Sequence, residues 1–270
     1  MAESGTPGQP SRDQDHRPAA DGSGSAHQEL WTELTRLADQ VAAGKFVGAV
    51  VPAWRRRTRG ERRWPVTASV AVAIVLQLSL SDALNKPLPH YLLPGLEIAL
   101  GIGLYLANPV RIERRGPMIR AASIALILLI TAANAVSAVL LIRAIVEVLP
   151  NTSTAGPLLS SGASVWVTNV IAFGLWYWEF DRGGPVRRAE GTAVHPDLMF
   201  PQMTSPALAP PDWEPYFVDY LYLSFTNATA FSPTDVMPLA RWAKLTMAVQ
   251  SAVSLAVGAL VIARAVNILK

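Results

Sequence analysis

Apolar residues after position 64 come in long runs that are separated by short polar segments. A helix needs about 20 mostly apolar residues to cross a bilayer. Five runs come close to or exceed that length, and the third is long enough to tilt or to project beyond the membrane. The pattern predicts an all-α, polytopic helical membrane protein with five transmembrane helices. The predicted spans are 65–84, 91–110, 118–149, 162–180 and 242–268.

The pattern before the first span is different. Residues 1–28 are rich in Gly, Ser, Pro, Asp and Gln, and we expect a disordered tail there because such a segment buries little apolar surface. In residues 29–53, apolar positions recur at helical spacing, which predicts an amphipathic helix. This helix either lies on the membrane surface or packs on the cytoplasmic side of the protein. The apolar positions are Leu30, Trp31, Leu34, Leu37, Val41, Phe46 and Val50.

Composition agrees with a membrane protein, because 51% of residues are hydrophobic and only 16% are charged. Soluble domains carry about 25% charged residues. The chain has no cysteine, and its four histidines are scattered without metal-ligand spacing, so we expect no thiol nucleophile, metal site or bound cofactor. The first 28 residues hold no apolar run of the kind that marks a signal peptide. The net charge of +3 comes from arginines beside apolar runs, which favours a lipid surface over nucleic acid as partner.

Lysine and arginine counts in the short loops predict the orientation. The segments 55–63, 85–90, 111–120, 150–161 and 181–190 hold six, one, four, zero and three of these residues. This alternation puts the N-terminus and the loop 181–215 in the cytoplasm. Nineteen arginines against four lysines are typical of a GC-rich bacterial genome, so the expected location is a bacterial plasma (inner) membrane. The loop holds seven prolines and is either a linker or a stiff collar at the membrane surface.

Charged residues within the predicted spans are candidate sites, because charges at membrane depth are costly and usually face protein or water. Arg143 and Glu147 are four residues apart on one helix face, so we expect them to pair. Glu97 has three interpretations: a partner arginine on another helix, a proton or cation site, or a protonated and hydrogen-bonded carboxyl.

The end of the fourth span carries a second set of candidates. Glu179 and Asp181 stand at a helix C-terminus, where the helix dipole disfavours anions. They therefore need cationic partners, for which Arg182, Arg187 and Arg188 are candidates.

Residues 213–235 differ from every other segment of the chain. An aromatic stretch leads into hydroxyl and amide residues, and a turn follows. A helix over 216–229 spans about 21 Å, which is short for a crossing, so we expect a re-entrant half-helix. Two alternatives remain open. Residues 214–234 cross fully as a sixth span, or Ser232–Asp235 simply starts the last helix while polar residues 224–229 bond to neighbouring helices.

Residues 224–238, together with Trp242 and Lys244, resemble the pore helix, filter and inner-helix start of tetrameric potassium channels. The filter of that family falls on residues 230–238, where Asp235 and Pro238 match it, and Thr229 matches the threonine that often precedes it. The two filter glycines are replaced by Ser232 and Thr234, and the filter tyrosine by Pro233, so a potassium-type filter cannot form. The resemblance implies these pore candidates: Thr226, Asn227, Thr229, Phe231, Ser232, Pro233, Thr234 and Asp235.

The resemblance further implies a homotetramer, with residues 150–270 as a pore-like module behind a three-helix region over 65–149. Since the loop 181–215 is expected inside, the pore loop enters from the cytoplasm, which is the inverted arrangement of ionotropic glutamate receptors. Residues 162–270 are also similar to bacterial membrane proteins without an assigned function.

Three classes of function follow from these observations. The first is a channel-like protein that passes monovalent cations without potassium-type selectivity, with Asp235 of each copy in an acidic ring. The second is a non-conducting membrane scaffold or assembly subunit that binds a cytoplasmic partner or anionic lipid through residues 55–63 and 181–215. The third, a membrane enzyme using Glu179, Asp181, His195 and Asp197, lacks a supporting spacing, so we expect no enzyme.

Overall fold

The computed structural model describes residues 22–42, 52–80, 91–108, 110–112, 116–147, 155–193, 195–229 and 235–269. Most of the described residues are helical, and two short strands, β1 (Leu198–Met199) and β2 (Met237–Pro238), pair antiparallel. The helices are α1 (Gly22–Ala42), α2 (Trp64–Leu80), α3 (Leu92–Ala107), α4 (Pro117–Val146), α5 (Ala155–Phe180), α6 (Pro185–Ala189), α7 (Pro201–Thr204), α8 (Phe217–Thr229) and α9 (Arg241–Leu269). Short 3₁₀ helices cover Ala53–Arg55, Asp181–Gly183 and Pro206–Leu208.

Helix α1 belongs to a compact unit of its own, residues 1–50, and the remaining helices form a second unit. Helix α1 begins at Gly22, so residues 22–28 are helical and the prediction of a disordered tail is wrong for them. Extending a nucleated helix adds one hydrogen bond per residue, which explains how a polar segment joins it. The described helix ends at Ala42. Of its predicted continuation to residue 53, residues 43–51 lie outside the described residues, as does the rest of the tail, and Ala53 begins a 3₁₀ helix instead. Its apolar positions Leu30, Trp31, Leu34 and Leu37 are exposed.

Among the described residues, three helices are long and apolar enough to span a membrane: Pro117–Val146, Ala155–Gly183 and Arg241–Ile268, the second counted through its 3₁₀ turn. These helices agree with the prediction of a helical membrane protein. The first two predicted spans correspond to α2 and α3, which have 17 and 16 residues and are shorter than a standard crossing. Five transmembrane helices are therefore more than the structure supports. The fourth span starts at Ala155, seven residues before the predicted start at 162.

Helix α5 is the centre of the second unit, and 15 of its 26 residues are buried. It contacts α2, α4, α8 and α9. Gly162 allows the closest of these approaches, because a Cβ there would lie 2.7 Å from a methyl carbon of Val261 on α9. The helix ends where Gly183 and Gly184 adopt positive φ angles of 81° and 99°, a conformation that glycine adopts without strain. Because α5 carries most of the packing, its end positions the polar groups described below.

Helix α8 runs antiparallel to α5 along the C-terminal half of that helix. The ring of Phe217 lies 6.0 Å from that of Trp178, whereas the ring of Phe225 lies 5.8 Å from that of Trp166. At 1.5 Å per residue, its 13 residues span only about 20 Å. Helix α8 therefore begins beside the end of α5 and stops about halfway along it.

The chain returns to the same end of α5 after α8. Strand β2 pairs with β1, placing Leu198 opposite Pro238. Trp242, at the start of α9, has its ring 5.6 Å from that of Phe180 at the end of α5. The segment from Phe217 to Trp242 therefore enters and leaves at one end of the helical unit.

The proline-rich segment 181–215 is folded and is not an open linker. It contains α6, β1, α7 and two 3₁₀ turns. Leu198, Phe200 and Met203 are buried in the same apolar cluster as the end of α5. Because prolines fix φ near −65° and remove backbone donors, they stand at the starts of these short helices and not inside them. The folded segment agrees with a stiff collar rather than an open linker, and its place at the membrane surface stays a prediction.

Candidate functional site

Helix α8 is held between α5 and α9 by a buried hydrogen-bond network centred on Gln250. The Gln250 side-chain oxygen accepts hydrogen bonds from Tyr177 Oη at 2.7 Å and from Asn227 Nδ2 at 2.8 Å. Its nitrogen donates to the Ser224 backbone oxygen at 2.9 Å and to Ser224 Oγ at 2.7 Å. Gln250 and Ser224 are fully buried. Each amide atom of Gln250 is thus used twice, which fixes the depth and rotation of α8. We call Gln250, Tyr177, Ser224 and Asn227 the Gln250 network.

Close backbone approach supports this network from the α5 side. A Cβ at Gly174 would lie 3.3 Å from the Cα of Leu221, so a larger residue would push α8 away. The approach lets Ser224 Oγ donate to the backbone oxygen of Val170 at 2.6 Å. A further hydrogen bond ties α5 to α9, where Asn169 Nδ2 donates to Ser254 Oγ at 2.8 Å. Ser and Asn side chains commonly join helices in this way within membranes.

Three of the predicted pore residues that the structure describes, Thr226, Asn227 and Thr229, form hydrogen bonds within the chain. Asn227 Nδ2 donates to the Met247 backbone oxygen at 3.0 Å, in addition to its bond to Gln250. Thr226 and Thr229 each donate to backbone oxygens of α8 itself. Asp235 is exposed at the end where the chain returns. The interhelical bonds of Ser224 and Asn227 agree with the predicted interhelical bonding of residues 224–229. Phe231, Ser232, Pro233 and Thr234 lie outside the described residues.

A second buried polar site lies where α5 ends and α8 begins, and its centre is the fully buried Asp181. Its carboxylate accepts from Tyr220 Oη at 2.6 Å and from Arg182 Nε at 3.2 Å. It also accepts from the backbone N–H groups of Asp197 and Leu198, at 3.2 and 3.3 Å. Asp181 therefore joins α5 to both the collar and α8. Its partner Arg182 is one of the three arginines predicted for it.

Arg182 takes an unusual backbone conformation to reach this position. Its φ of 52° makes it the one positive-φ residue other than glycine among the described residues. Such a conformation costs about 1–3 kcal/mol and persists only where surrounding contacts fix it. Here the Arg182 backbone N–H donates to Asp197 Oδ2 at 2.7 Å, and Arg182 Nη1 donates to the Trp54 backbone oxygen at 2.7 Å. These contacts fasten the segment before α2 to the end of α5.

Glu61 is the second buried carboxylate of this site. Its two oxygens accept from Trp178 Nε1 at 2.7 Å and from the backbone N–H of Phe217, the first residue of α8. Arg188 lies 3.9 Å away and also donates to backbone oxygens at the end of α5. Burial raises the pKa of Glu61 above its ordinary value, although Arg188 and the hydrogen bonds from Trp178 and Phe217 oppose this shift. Glu61 thus ties the start of α8 to the segment before α2.

Glu179, the third buried carboxylate, pairs with a residue that the sequence analysis did not name. Arg120 of α4 lies 3.7 Å from it, and the Arg120 side chain is 42% exposed. Arg187, which was a predicted partner, packs against Gly183 instead. We call Glu61, Glu179, Asp181, Arg182 and Arg188 the ion-pair cluster.

The predicted intramembrane charges lie away from both sites. Arg143 and Glu147 pair at 3.2 Å, as their spacing predicts, and both side chains are largely exposed. Glu97 is fully buried in α3 and lines a cavity together with residues of α2, α4 and α5. Its role as a proton or cation site stays a prediction.

The residues considered for enzymatic chemistry are only partly brought together. Asp181 and Asp197 both bind the Arg182 region, but His195 is exposed. Within the described ranges, no group of three or more His, Cys, Asp or Glu side chains is arranged to hold a metal ion.

Sequence reasoning missed Gln250, Tyr177, Glu61 and Tyr220, which carry both sites. Two signals were present: Gln250 is an amide within an apolar run, and Glu61 is the one carboxylate within a run of arginines. Neither signal names a partner, because the partners lie 73 and 117 residues away along the chain.

Comparison with family models, with curated proteins and with solved structures found no match to this chain.

Proposed function

We propose that this protein is a channel-like membrane protein, in which α8 is a re-entrant half-helix between the transmembrane helices α5 and α9. The observation that carries the proposal is the path of the chain from Phe217 to Trp242, which enters and leaves at one end of α5. A half-helix followed by non-helical backbone is tolerated at membrane depth where protein or a water-filled cavity covers it. A layout of long helix, half-helix and long helix fits a pore loop.

The pathway would form between copies of the chain. Within one chain the polar atoms of Ser224 and Asn227 are already used by α5 and α9. One re-entrant segment cannot surround a pore alone, whereas cyclic symmetry closes one around an axis. Helix α9 offers a face for such assembly, because only 28% of its apolar stretch is buried within the chain. We propose a homotetramer with Asp235 near the axis.

The orientation and the permeant ion complete the proposal. The arginine counts support entry of α8 from the cytoplasm. Asp235 is exposed near this entrance, and a ring of such carboxylates attracts cations. We propose passage of monovalent cations, without the selectivity of a potassium-type filter.

Flux into liposomes tests this function. The purified full-length chain would be reconstituted, and uptake of Na⁺ and K⁺ measured for wild type and Asp235→Asn. We expect measurable flux that falls in the variant, and an unchanged flux in Asp212→Asn, a matched exposed carboxylate. Equal flux in wild type and Asp235→Asn would contradict the proposed acidic ring. A wild-type flux no higher than that of liposomes without protein would contradict the channel.

A non-conducting membrane scaffold is the second candidate, and one observation favours it. The side chains of Tyr220, Ser224, Thr226, Asn227 and Thr229 form hydrogen bonds inside the chain, while Val218, Tyr222 and Phe225 are exposed on the outer face of α8. An aromatic face suits packing against another protein or lipid. Copurification of one stoichiometric soluble partner, together with absent flux, would support this alternative.

A further inference from the structure

A cavity of about 380 Å³ lies between α2, α3, α4 and the end of α5, and Glu179 of the ion-pair cluster is part of its lining. Most of its wall is aliphatic, and Gly101 of α3 leaves open space on the cavity side, since no atom lies within 4 Å of a Cβ placed there. The cavity suits an apolar chain. The aliphatic lining includes Val66, Val70, Ile74, Ile98, Ile102 and Leu126.

Three arginines lie at one end of this cavity. Arg63 directly precedes α2, Arg120 is in the first turn of α4, and Arg187 follows the end of α5. These positions meet at one level, because the antiparallel bridge between Arg62 and Arg111 joins the start of α2 to the segment before α4. Asn108 stands at the end of α3 that lies beside the arginines. At 1.5 Å per residue, Glu97 lies about 16 Å away from Asn108 along α3. The cavity is therefore cationic at one end, and mostly aliphatic side chains line it between that end and the carboxyl of Glu97.

The charges at the arginine end are not balanced by the described residues. Arg120 contacts Glu179, the carboxylate at this end of the cavity, at 3.7 Å. Arg63 Nε is buried and has no hydrogen-bond partner in the described part of the chain. Burial also lowers the pKa of Arg63, although its electrostatic interaction with Tyr105 opposes this shift. Among the described residues at this end, three arginines against one carboxylate favour an anion.

We propose that this cavity binds an anionic phospholipid, with its phosphate at Arg63, Arg120 and Arg187 and one acyl chain along the aliphatic wall. An acyl chain uses the aliphatic wall of the cavity, whereas free phosphate does not. Each methylene group that the wall buries tightens binding about fourfold. An arginine near the membrane surface tightens the binding of an anionic lipid about fivefold. The site is independent of the proposed channel function.

Native mass spectrometry of the full-length chain in neutral detergent tests this site. The probes are dioleoyl phosphatidylglycerol and, at equal concentration, dioleoyl phosphatidylcholine. For wild type we expect preferential retention of phosphatidylglycerol. Arg63→Gln with Arg187→Gln should weaken that retention by about thirtyfold, from the value per arginine. The control Arg57→Gln with Arg59→Gln removes two exposed arginines of the same basic run and should change retention by less than twofold.

The acyl chain is tested separately with a pair of glycines on α3. Gly101→Leu places a side chain in the cavity, whereas Gly103→Leu meets open space outside its lining. We expect Gly101→Leu to abolish retention of phosphatidylglycerol and Gly103→Leu to leave it unchanged. Both variants should fold, because both have room for the new side chain. Equal retention in all variants would overturn the proposal. Displacement of the lipid by millimolar inorganic phosphate, with no effect of Gly101→Leu, would show an anion site without a chain and would overturn it too.

Discussion

Replacement of Asp181 by asparagine is the sharpest test of the ion-pair cluster. The carboxylate has no exposed surface and accepts four hydrogen bonds, among them those from Tyr220 Oη at 2.6 Å and Arg182 Nε at 3.2 Å. An amide keeps the shape and one oxygen but removes the charge and turns a donor toward Arg182. The buried guanidinium then loses its counter-charge.

The magnitude follows from the surroundings of Arg182. Removing one partner of a buried ion pair typically costs about 3–5 kcal/mol. Arg182 keeps its bond to the Trp54 backbone oxygen and its position 5.5 Å from the centre of the Trp54 ring, so the lower part of that range applies. We expect Asp181→Asn to lower the free energy of unfolding by about 3 kcal/mol.

The assay is unfolding in mixed micelles with increasing sodium dodecyl sulfate, followed by tryptophan fluorescence. The matched control is Glu147→Gln, which breaks the exposed pair with Arg143 and should cost at most about 0.5 kcal/mol. A double-mutant cycle of Asp181→Asn with Tyr220→Phe should give a coupling energy of about 1 kcal/mol. If Asp181→Asn costs no more than Glu147→Gln, the cluster does not hold α8 to α5 and the reasoning fails.

Three further predictions concern the network, the pH dependence and the helix contact. Gln250→Leu should destabilise by about 2–3 kcal/mol because it strands buried polar partners, whereas Gln77→Leu, whose buried amide lacks hydrogen-bond partners among the described residues, should be neutral or stabilising in the same assay. Because the pKa of Glu61 is raised, the folded state binds the proton of this carboxyl more tightly than the unfolded state does, so the free energy of unfolding should fall as pH rises through the raised pKa. If the difference in free energy of unfolding between wild type and Glu61→Gln does not change with pH, this prediction is contradicted. Gly162→Ala should cost about 1–3 kcal/mol and be rescued by Val261→Ala, while Gly258→Ala, which meets no atom within 4 Å, should cost nothing.

Hydrophobic length predicted the long helices well, because burial in lipid or protein imposes a simple composition on them. It placed the start of α5 too late, since Gly156, Pro157 and the serines after them dilute the apolar signal although they are helical. It also extended α3 beyond its end at Ala107, whereas residues 81–84 of the first predicted span lie outside the described residues. Helix ends are set by local backbone and contacts, which hydropathy does not report.

The partners of the buried polar groups were beyond sequence reasoning. That Asp181 needs a cation follows from its place at a helix end, and the adjacent Arg182 was within reach of that argument. That it also binds Tyr220 depends on the register of α8 against α5, which is fixed by packing at Gly174 and Val170. Glu61 and Phe217 are 156 residues apart, and no local pattern links them.

The re-entrant path of α8 is the central claim, and labelling of single cysteines tests it most directly. The natural chain has no cysteine, so each substitution gives one site. Asp212→Cys and Asp235→Cys are exposed before and after α8, and Gly156→Cys is exposed at the opposite end of α5. In oriented vesicles treated with a membrane-impermeant maleimide, we expect positions 212 and 235 to be labelled from one side and position 156 from the other. Labelling of 212 and 235 from opposite sides would make 214–234 a full span and would contradict the claim.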